Sequence, residues 1–168
     1  MDLPNSAQRP PEELVAMVMN QVDREVDIPM MDECLSDNGY AAKDYGALLR
    51  MVEVHSPGAG RLYFVRPALQ PYCSALYGAH LFRYFVFTDS PLPRADHYKL
   101  LFANGGDFFA VLDHVTSGLN DIETTGCDAN TCWVGRFAFE GKAYQRTWCG
   151  KTTWANGNKE QTVRTKCW

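Results

Sequence analysis

Apolar positions near the beginning of the chain recur at helical spacing. Pro10-Pro11 is followed by Glu12-Glu13. Both pairs suit a helix start, because proline tolerates the first turn and acidic side chains favour the positive end of the helix dipole. The apolar residues that then repeat at the helical period are Leu14, Val15, Val18, Met19, Val22 and Val26. The pattern predicts one amphipathic helix over residues 12–26, which Pro29 ends.

The remainder of the chain has the pattern of short β-strands separated by turns. β-branched and aromatic residues concentrate in runs that are bounded by Gly, Pro, Asn and Ser. The predicted strands cover residues 48–54, 61–66, 81–88, 98–103 and 108–112. Residues 81–88 are almost continuously apolar, which indicates a central strand covered on both faces. Because hairpin-like turns follow one another, including Asn104-Gly105-Gly106, the series predicts a meander.

The strongest hairpin signal lies between residues 119 and 149. Phe137 and Phe139 alternate with other residues, Glu140-Gly141 forms a short turn, and a second β-rich run follows over residues 143–148. Residues 160–167 suit a polar edge strand. The predicted fold class is α+β, with an N-terminal helix packed on a mainly antiparallel β-sheet of meanders and hairpins that disulfides staple.

Length and composition favour a single domain of 168 residues. Within it we expect a flexible start over residues 1–11, the helix over 12–26, a β core over 48–149 and a polar tail or edge strand over 150–168. A net charge of -4 argues against nucleic acid as a partner, because phosphate binding needs a concentrated basic surface. No apolar run reaches the length of a membrane helix, so no membrane span is predicted.

An even number of cysteines in a small domain is typical of disulfides formed in an oxidising compartment. The six are Cys34, Cys73, Cys127, Cys132, Cys149 and Cys167. They allow fifteen pairings. Proximity favours Cys127 with Cys132 as a local bridge. A bridge from Cys149 to Cys167 would tie the tail to the hairpin, which leaves Cys34 with Cys73.

Free buried thiols and a zinc site are the alternatives to disulfides. The spacings lack the paired C-x₂-C of a zinc ribbon, and no histidine stands at ligand spacing from a cysteine. The chain begins with a polar, proline-rich segment and no signal peptide. A mature exported protein without its leader and a cytosolic protein would both begin in this way. The cysteines favour the first interpretation, a periplasmic or secreted protein.

Candidate catalytic chemistry is sparse. None of the four histidines lies in a recognisable nucleophile motif. A small secreted hydrolase that uses His80 or His114 with a nearby Asp is the enzyme hypothesis. Asp128-Ala129-Asn130 supplies only the first two ligands of a calcium loop, and Cys132 interrupts the pattern. The sequence therefore predicts no catalytic residue, no metal and no cofactor.

The motif T-S-G-L-N-D-I, followed by F-A-F-E-G-K-A-Y, carries a resemblance to known proteins. It resembles the pattern N-G-x-x-D-I and F-x-F-x-G-x-x-Y of a class of small exported bacterial domains, over about residues 48–149. The class includes immunity proteins that guard the periplasm against peptidoglycan-cleaving toxins, similar in role to periplasmic lysozyme inhibitors. Relatives often carry a calcium-type loop between the first two strands. Here residues 55–60 contain no acid, so no calcium site is carried over.

The resemblance implies a protein that acts by binding, as an inhibitor or immunity protein for a cell-wall hydrolase toxin or a lysozyme-like enzyme. A loop with aromatic and polar side chains would enter or cover the cleft of the partner. The candidate partner-binding residues are Tyr72, Tyr77 and His80 on one loop and Asp128, Asn130 and Trp133 on another. Aromatic side chains on loops also suit a cell-wall or sugar-binding module, which is a further alternative.

Overall fold

A computed structural model describes residues 7–56, 60–76, 82–89, 97–155 and 159–167. The helices are α1 (Glu12–Met19) and α2 (Asp27–Asp37), and two short 3₁₀ helices cover Tyr45–Leu48 and Ser74–Leu76. The strands are β1 (Leu49–Ser56), β2 (Gly60–Pro67), β3 (Phe82–Asp89), β4 (Tyr98–Gly106), β5 (Phe108–Thr116), β6 (Leu119–Cys127), β7 (Thr131–Phe139), β8 (Tyr144–Ala155) and β9 (Lys159–Arg164). Within the described ranges, neither helix has the length and apolar character needed to cross a membrane.

The strands form two antiparallel sheets, with the orders β1-β2-β3-β4 and β5-β6-β7-β8-β9. Each sheet is a meander, as predicted, but Asn104-Gly105-Gly106 is not a hairpin turn, because β4 and β5 lie in different sheets. The chain crosses between the sheets at Asp107, whose backbone N–H donates to Thr125 O at 2.7 Å. The hairpin prediction was wrong here because a Gly-Gly pair permits a change of direction without fixing the next strand's partner.

Strand β3 is central in the first sheet, as its continuous apolar pattern predicts. It pairs with β2 on one side and β4 on the other. Phe85 and Phe87 belong to one buried cluster, and Tyr84 and Val86 belong to another. Successive side chains of a strand point to opposite faces, so β3 is buried on both.

The predicted helix over residues 12–26 is wrong in its extent, because α1 ends at Met19. Asp23 Oδ1 accepts hydrogen bonds from the backbone N–H groups of Glu25 (2.8 Å) and Val26 (3.0 Å), which holds a turn between the two helices. Pro29 is the third residue of α2. A proline in the first turn interrupts no helical hydrogen bond, so Pro29 begins a second helix instead of ending the first.

Two hydrophobic clusters fill the described part of the molecule. The first contains residues from both helices and from one face of the first sheet, among them Leu14, Val18, Met31, Leu35, Met51 and Phe87. The second contains residues from the other face of the first sheet and from the second sheet, among them Phe64, Val86, Phe102, Phe109, Ile122 and Phe137. The mainly antiparallel α+β class is supported in this coarse form.

Three disulfides join the six cysteines, and none is free. Cys34 of α2 bonds to Cys73, Cys127 of β6 bonds to Cys132 of β7, and Cys149 of β8 bonds to Cys167. The favoured pairing is therefore confirmed. Free thiols and a zinc site, the two alternatives, do not describe these cysteines. Three disulfides fit an oxidising compartment.

The hairpins of the second sheet match the sequence patterns unevenly. The predicted β7–β8 hairpin is confirmed, with Gly141 at φ 77° in its turn. Strand β6 was not predicted, and it pairs with β5 around Ser117 and Gly118, at φ 50° and 88°. Strand β9 pairs with β8 and ends the sheet, so an edge strand is confirmed up to Arg164, whereas the predicted continuation to Cys167 is not.

Candidate binding cleft

A cleft opens between the two sheets because part of the inner face of the second sheet carries small residues beside a row of bulky ones. Ile122 of β6 faces Phe137 of β7, and both are buried against the first sheet. The next inner positions along these strands are Thr124, Gly126 and Gly135, since alternate residues share a face. None of these three residues fills the space, and a cavity of about 470 Å³ results.

Polar and aromatic side chains from both sheets line this cleft. They are Asn104 of β4, Thr124 of β6, Asp128 of the β6–β7 turn, Trp133 of β7, Arg146 of β8 and Thr165 after β9. The two disulfides of the second sheet also border it, through Cys127 and Cys149. The cleft walls are therefore held covalently at two places.

Cationic side chains lie against aromatic rings along the inner face of β8. The Arg146 guanidinium lies 5.1 Å from the centroid of the Phe137 ring, and Lys151 Nζ lies 5.1 Å from that of Trp133. A Cβ atom on Gly135 would come within 3.2 Å of the Phe137 ring and 3.6 Å of Arg146 Nε. Glycine at this position therefore leaves room for the packing of Arg146 over Phe137.

The β6–β7 turn beside the cleft is fixed from within. Asp128 Oδ1 accepts hydrogen bonds from the backbone N–H groups of Asn130 (3.0 Å) and Thr131 (2.8 Å). Cys127 and Cys132 face each other at the base of the turn and are bonded. Asp107 Oδ2 also accepts a hydrogen bond from the Cys127 N–H. Asp128 and Asn130 remain exposed, so the turn presents a defined polar surface.

The structure brings together only part of the predicted partner-binding set. Asp128 and Trp133 line the same cleft, and Asn130 lies in the same turn as Asp128. Tyr72 is 62% exposed and lies on a separate segment between β2 and the second 3₁₀ helix. Tyr77 and His80 lie outside the described residues.

His114, one residue of the enzyme hypothesis, does lie beside an aspartate. Its Nδ1 is 2.8 Å from Asp121 Oδ2, and the Thr116 hydroxyl is 3.5 Å from the same nitrogen. In a Ser-His-Asp arrangement the acid and the nucleophile contact opposite ring nitrogens. Thr116 is therefore not positioned as a nucleophile that His114 activates.

Tyr144 lies near this pair and is buried, with its hydroxyl donating to Asn120 O at 2.8 Å. Burial, with a smaller effect of the Asp121 charge, raises the pKa of Tyr144 to about 12. The phenol is therefore neutral at physiological pH and acts as a structural hydrogen-bond donor.

Sequence reasoning missed Asn104, Gly135 and Arg146 as parts of the cleft. Glycine inside a strand pattern often marks a site where a ligand or another chain segment approaches closely. Gly126 and Gly135, inside β6 and β7, were therefore the available signal. Within the described ranges, no group of three or more His, Cys, Asp or Glu side chains is placed to hold a metal ion.

Comparisons with protein-family models, curated proteins and solved structures find no match.

Proposed function

We propose that this protein is a periplasmic inhibitor or immunity protein that binds a peptidoglycan-cleaving enzyme. The observation that supports binding is the β6–β7 turn, which is exposed and yet fixed by the Cys127–Cys132 bridge and the Asp128 hydrogen bonds. The partner class follows from the resemblance of residues 116–122 and 137–144 to immunity domains. The three disulfides are consistent with the periplasm.

The turn has the physical properties of a recognition element. A loop that is already ordered loses little conformational entropy on binding, so more of the contact energy appears as affinity. Asp128 and Asn130 offer hydrogen-bonding groups, and Trp133 is 37% exposed at the base of the turn. Trp is among the residues that dominate interface energies when a partner covers them. The turn therefore combines polar specificity with an aromatic anchor.

The test is inhibition of cell-wall hydrolysis by the oxidised protein. We expect it to inhibit at least one member of a panel of lysozymes and peptidoglycan amidases, measured as clearance of a cell-wall suspension. Asn130→Ala and Trp133→Ala should each weaken inhibition, the tryptophan variant by roughly tenfold or more. Tyr72→Ala tests whether the separate loop contributes to the same interface.

Lys142→Ala is the matched control, because Lys142 is exposed in the turn at the opposite end of β7. It should inhibit as well as the unaltered protein. If Asn130→Ala and Trp133→Ala inhibit fully while folded, the binding surface is wrongly placed. If no enzyme of the panel is inhibited, the inhibitor proposal itself is wrong.

A further inference from the structure

We propose that the cleft between the sheets binds a saccharide that carries a carboxylate. This goes beyond enzyme inhibition, because it concerns a small-ligand site in the cleft and requires no protein partner. The space exists because Thr124, Gly126 and Gly135 occupy inner positions where the neighbouring row holds Ile122 and Phe137. Its volume of about 470 Å³ is within the usual range of ligand sites.

The flat wall of the cleft suits a sugar ring. Trp133 lines the cavity and is 37% exposed, so its indole has apolar surface left to cover. The C–H face of a pyranose is flat and apolar, whereas its edge carries hydroxyl groups. A ring that packs on an indole therefore keeps its hydroxyls directed towards polar side chains at the rim.

Those polar side chains are present on both walls. The Asp128 carboxylate accepts hydrogen bonds, and the Asn104 amide both donates and accepts them. Thr165 also lines the cleft, but its Oγ1 is itself buried, so this hydroxyl is not offered to a ligand.

Positive charge at the cleft favours an acidic ligand over a neutral one. Arg146 lines the cavity, and Lys151 lies against the ring of Trp133. A guanidinium pairs with a carboxylate through two parallel hydrogen bonds, a geometry that a neutral hydroxyl does not match. Asp128, at the rim, is engaged with backbone N–H groups of its own turn.

The test is calorimetric titration of the oxidised full chain with three disaccharides. One contains N-acetylmuramic acid, one contains glucuronic acid, and the third is the neutral N-acetylglucosamine disaccharide. We expect at least one acidic disaccharide to bind roughly tenfold more tightly than the neutral one. Preference for the muramic acid probe indicates a cell-wall source, and preference for the glucuronic acid probe indicates an acidic polysaccharide.

Variants separate the two parts of the site. Trp133→Ala should weaken binding of every disaccharide by roughly tenfold. Arg146→Gln should lower the affinity for the acidic disaccharide to that for the neutral one. Arg146→Lys should bind the acidic disaccharide with an affinity between those of the unaltered protein and Arg146→Gln. Lys142→Ala, in the β7–β8 turn and outside the cleft lining, should bind as the unaltered protein does.

Two results would overturn this proposal. One is that the unaltered protein binds none of the three disaccharides at millimolar concentration. The other is that it binds acidic and neutral probes equally and Arg146→Gln changes neither. Because saccharide binding is measured without any enzyme, its failure is distinct from a failure to inhibit cell-wall hydrolases.

Discussion

Asp27, the first residue of α2, forms an ion pair with Arg83 of β3, with 2.8 Å between Asp27 Oδ2 and Arg83 Nη1. The aspartate is 6% exposed, and its Oδ2 also accepts a hydrogen bond from the Asp23 N–H. One carboxylate therefore connects the start of α2 both to the preceding turn and to the central strand of the first sheet.

We expect Asp27→Ala to lower the free energy of unfolding by about 2–3 kcal/mol. The variant leaves Arg83 without its buried partner, but the cost is moderated because the Arg83 side chain is 34% exposed. Urea denaturation measures the change. Glu123→Gln is the control. It breaks the ion pair with Arg136, which is more exposed than the Asp27–Arg83 pair, so the free energy of unfolding should fall by less than about 1 kcal/mol. Equal costs for both variants would contradict a special role for the Asp27–Arg83 pair.

The three disulfides should contribute unequally to stability. In the chain-entropy model the contribution grows with the length of the closed loop. The Cys34–Cys73 bridge spans 39 residues and the Cys127–Cys132 bridge spans 5. Replacing both cysteines by serine should therefore cost about 4 kcal/mol for the first bridge and about 2 kcal/mol for the second.

Thermal or urea unfolding of the two double serine variants checks this order. The Cys149–Cys167 bridge, with a span of 18, should give an intermediate loss of about 3 kcal/mol. The order would be contradicted if loss of the Cys127–Cys132 bridge destabilised the protein most. That result would mean that the stabilisation by this bridge comes mainly from local order at the β6–β7 turn and not from loop closure in the unfolded chain.

Tyr144 should make the folded state sensitive to alkaline pH. Its pKa is raised from 10.0 to about 12, mainly by burial, so the neutral phenol is favoured in the folded state. The associated stabilisation is fully present below pH 10 and is lost as the pH rises towards 12. The loss should approach roughly 2–3 kcal/mol, which is the free energy of a shift of this size.

Urea denaturation between pH 9 and about pH 12, with and without Tyr144→Phe, measures this effect. The phenylalanine variant lacks the hydrogen bond to Asn120 O and should be about 1 kcal/mol less stable at pH 9. It should lose less stability than the unaltered protein as the pH rises. Parallel losses in both proteins would show that Tyr144 is not the responsible group, since Tyr45 and Tyr63 also have pKa values raised to about 12.

Gly135 should be intolerant of even one added methyl group. A Cβ atom there lies 3.2 Å from the Phe137 ring, which is tighter than an ordinary contact. We expect Gly135→Ala to cost about 1–2 kcal/mol through displacement of Phe137 and Arg146. Gly150→Ala is the comparison, because its Cβ would overlap the ring of Trp148, and it should cost more. A stability equal to that of the unaltered protein would show that the cleft wall adapts freely.

Local pattern predicted most of the strands. Residues 81–88 gave a central strand because both faces of the run are apolar, and both faces of β3 are in fact buried. The helix boundaries failed at residues 20–29, where helical spacing continues through Val22 and Val26 but the Asp23 side chain holds a turn between the two helices. Periodicity reports which face is apolar, whereas local hydrogen bonds in the turn that precedes α2 decide where the first helix stops.

The sequence by itself determined the elements whose partners are close in the chain. The β7–β8 hairpin and the Cys127–Cys132 bridge follow from short spacings, because the loop that must close is small and few alternatives compete. The other four cysteines still allow three pairings, and the prediction of Cys149 with Cys167, as a tie from the tail to the hairpin, leaves Cys34 with Cys73. Tertiary structure alone decided that β4 and β5 belong to different sheets and that Asn104 meets Trp133 and Arg146 in one cleft. These contacts join residues distant in sequence, and the packing of Phe102 against Phe109 and Phe137 is among the contacts that fix how the two sheets face each other.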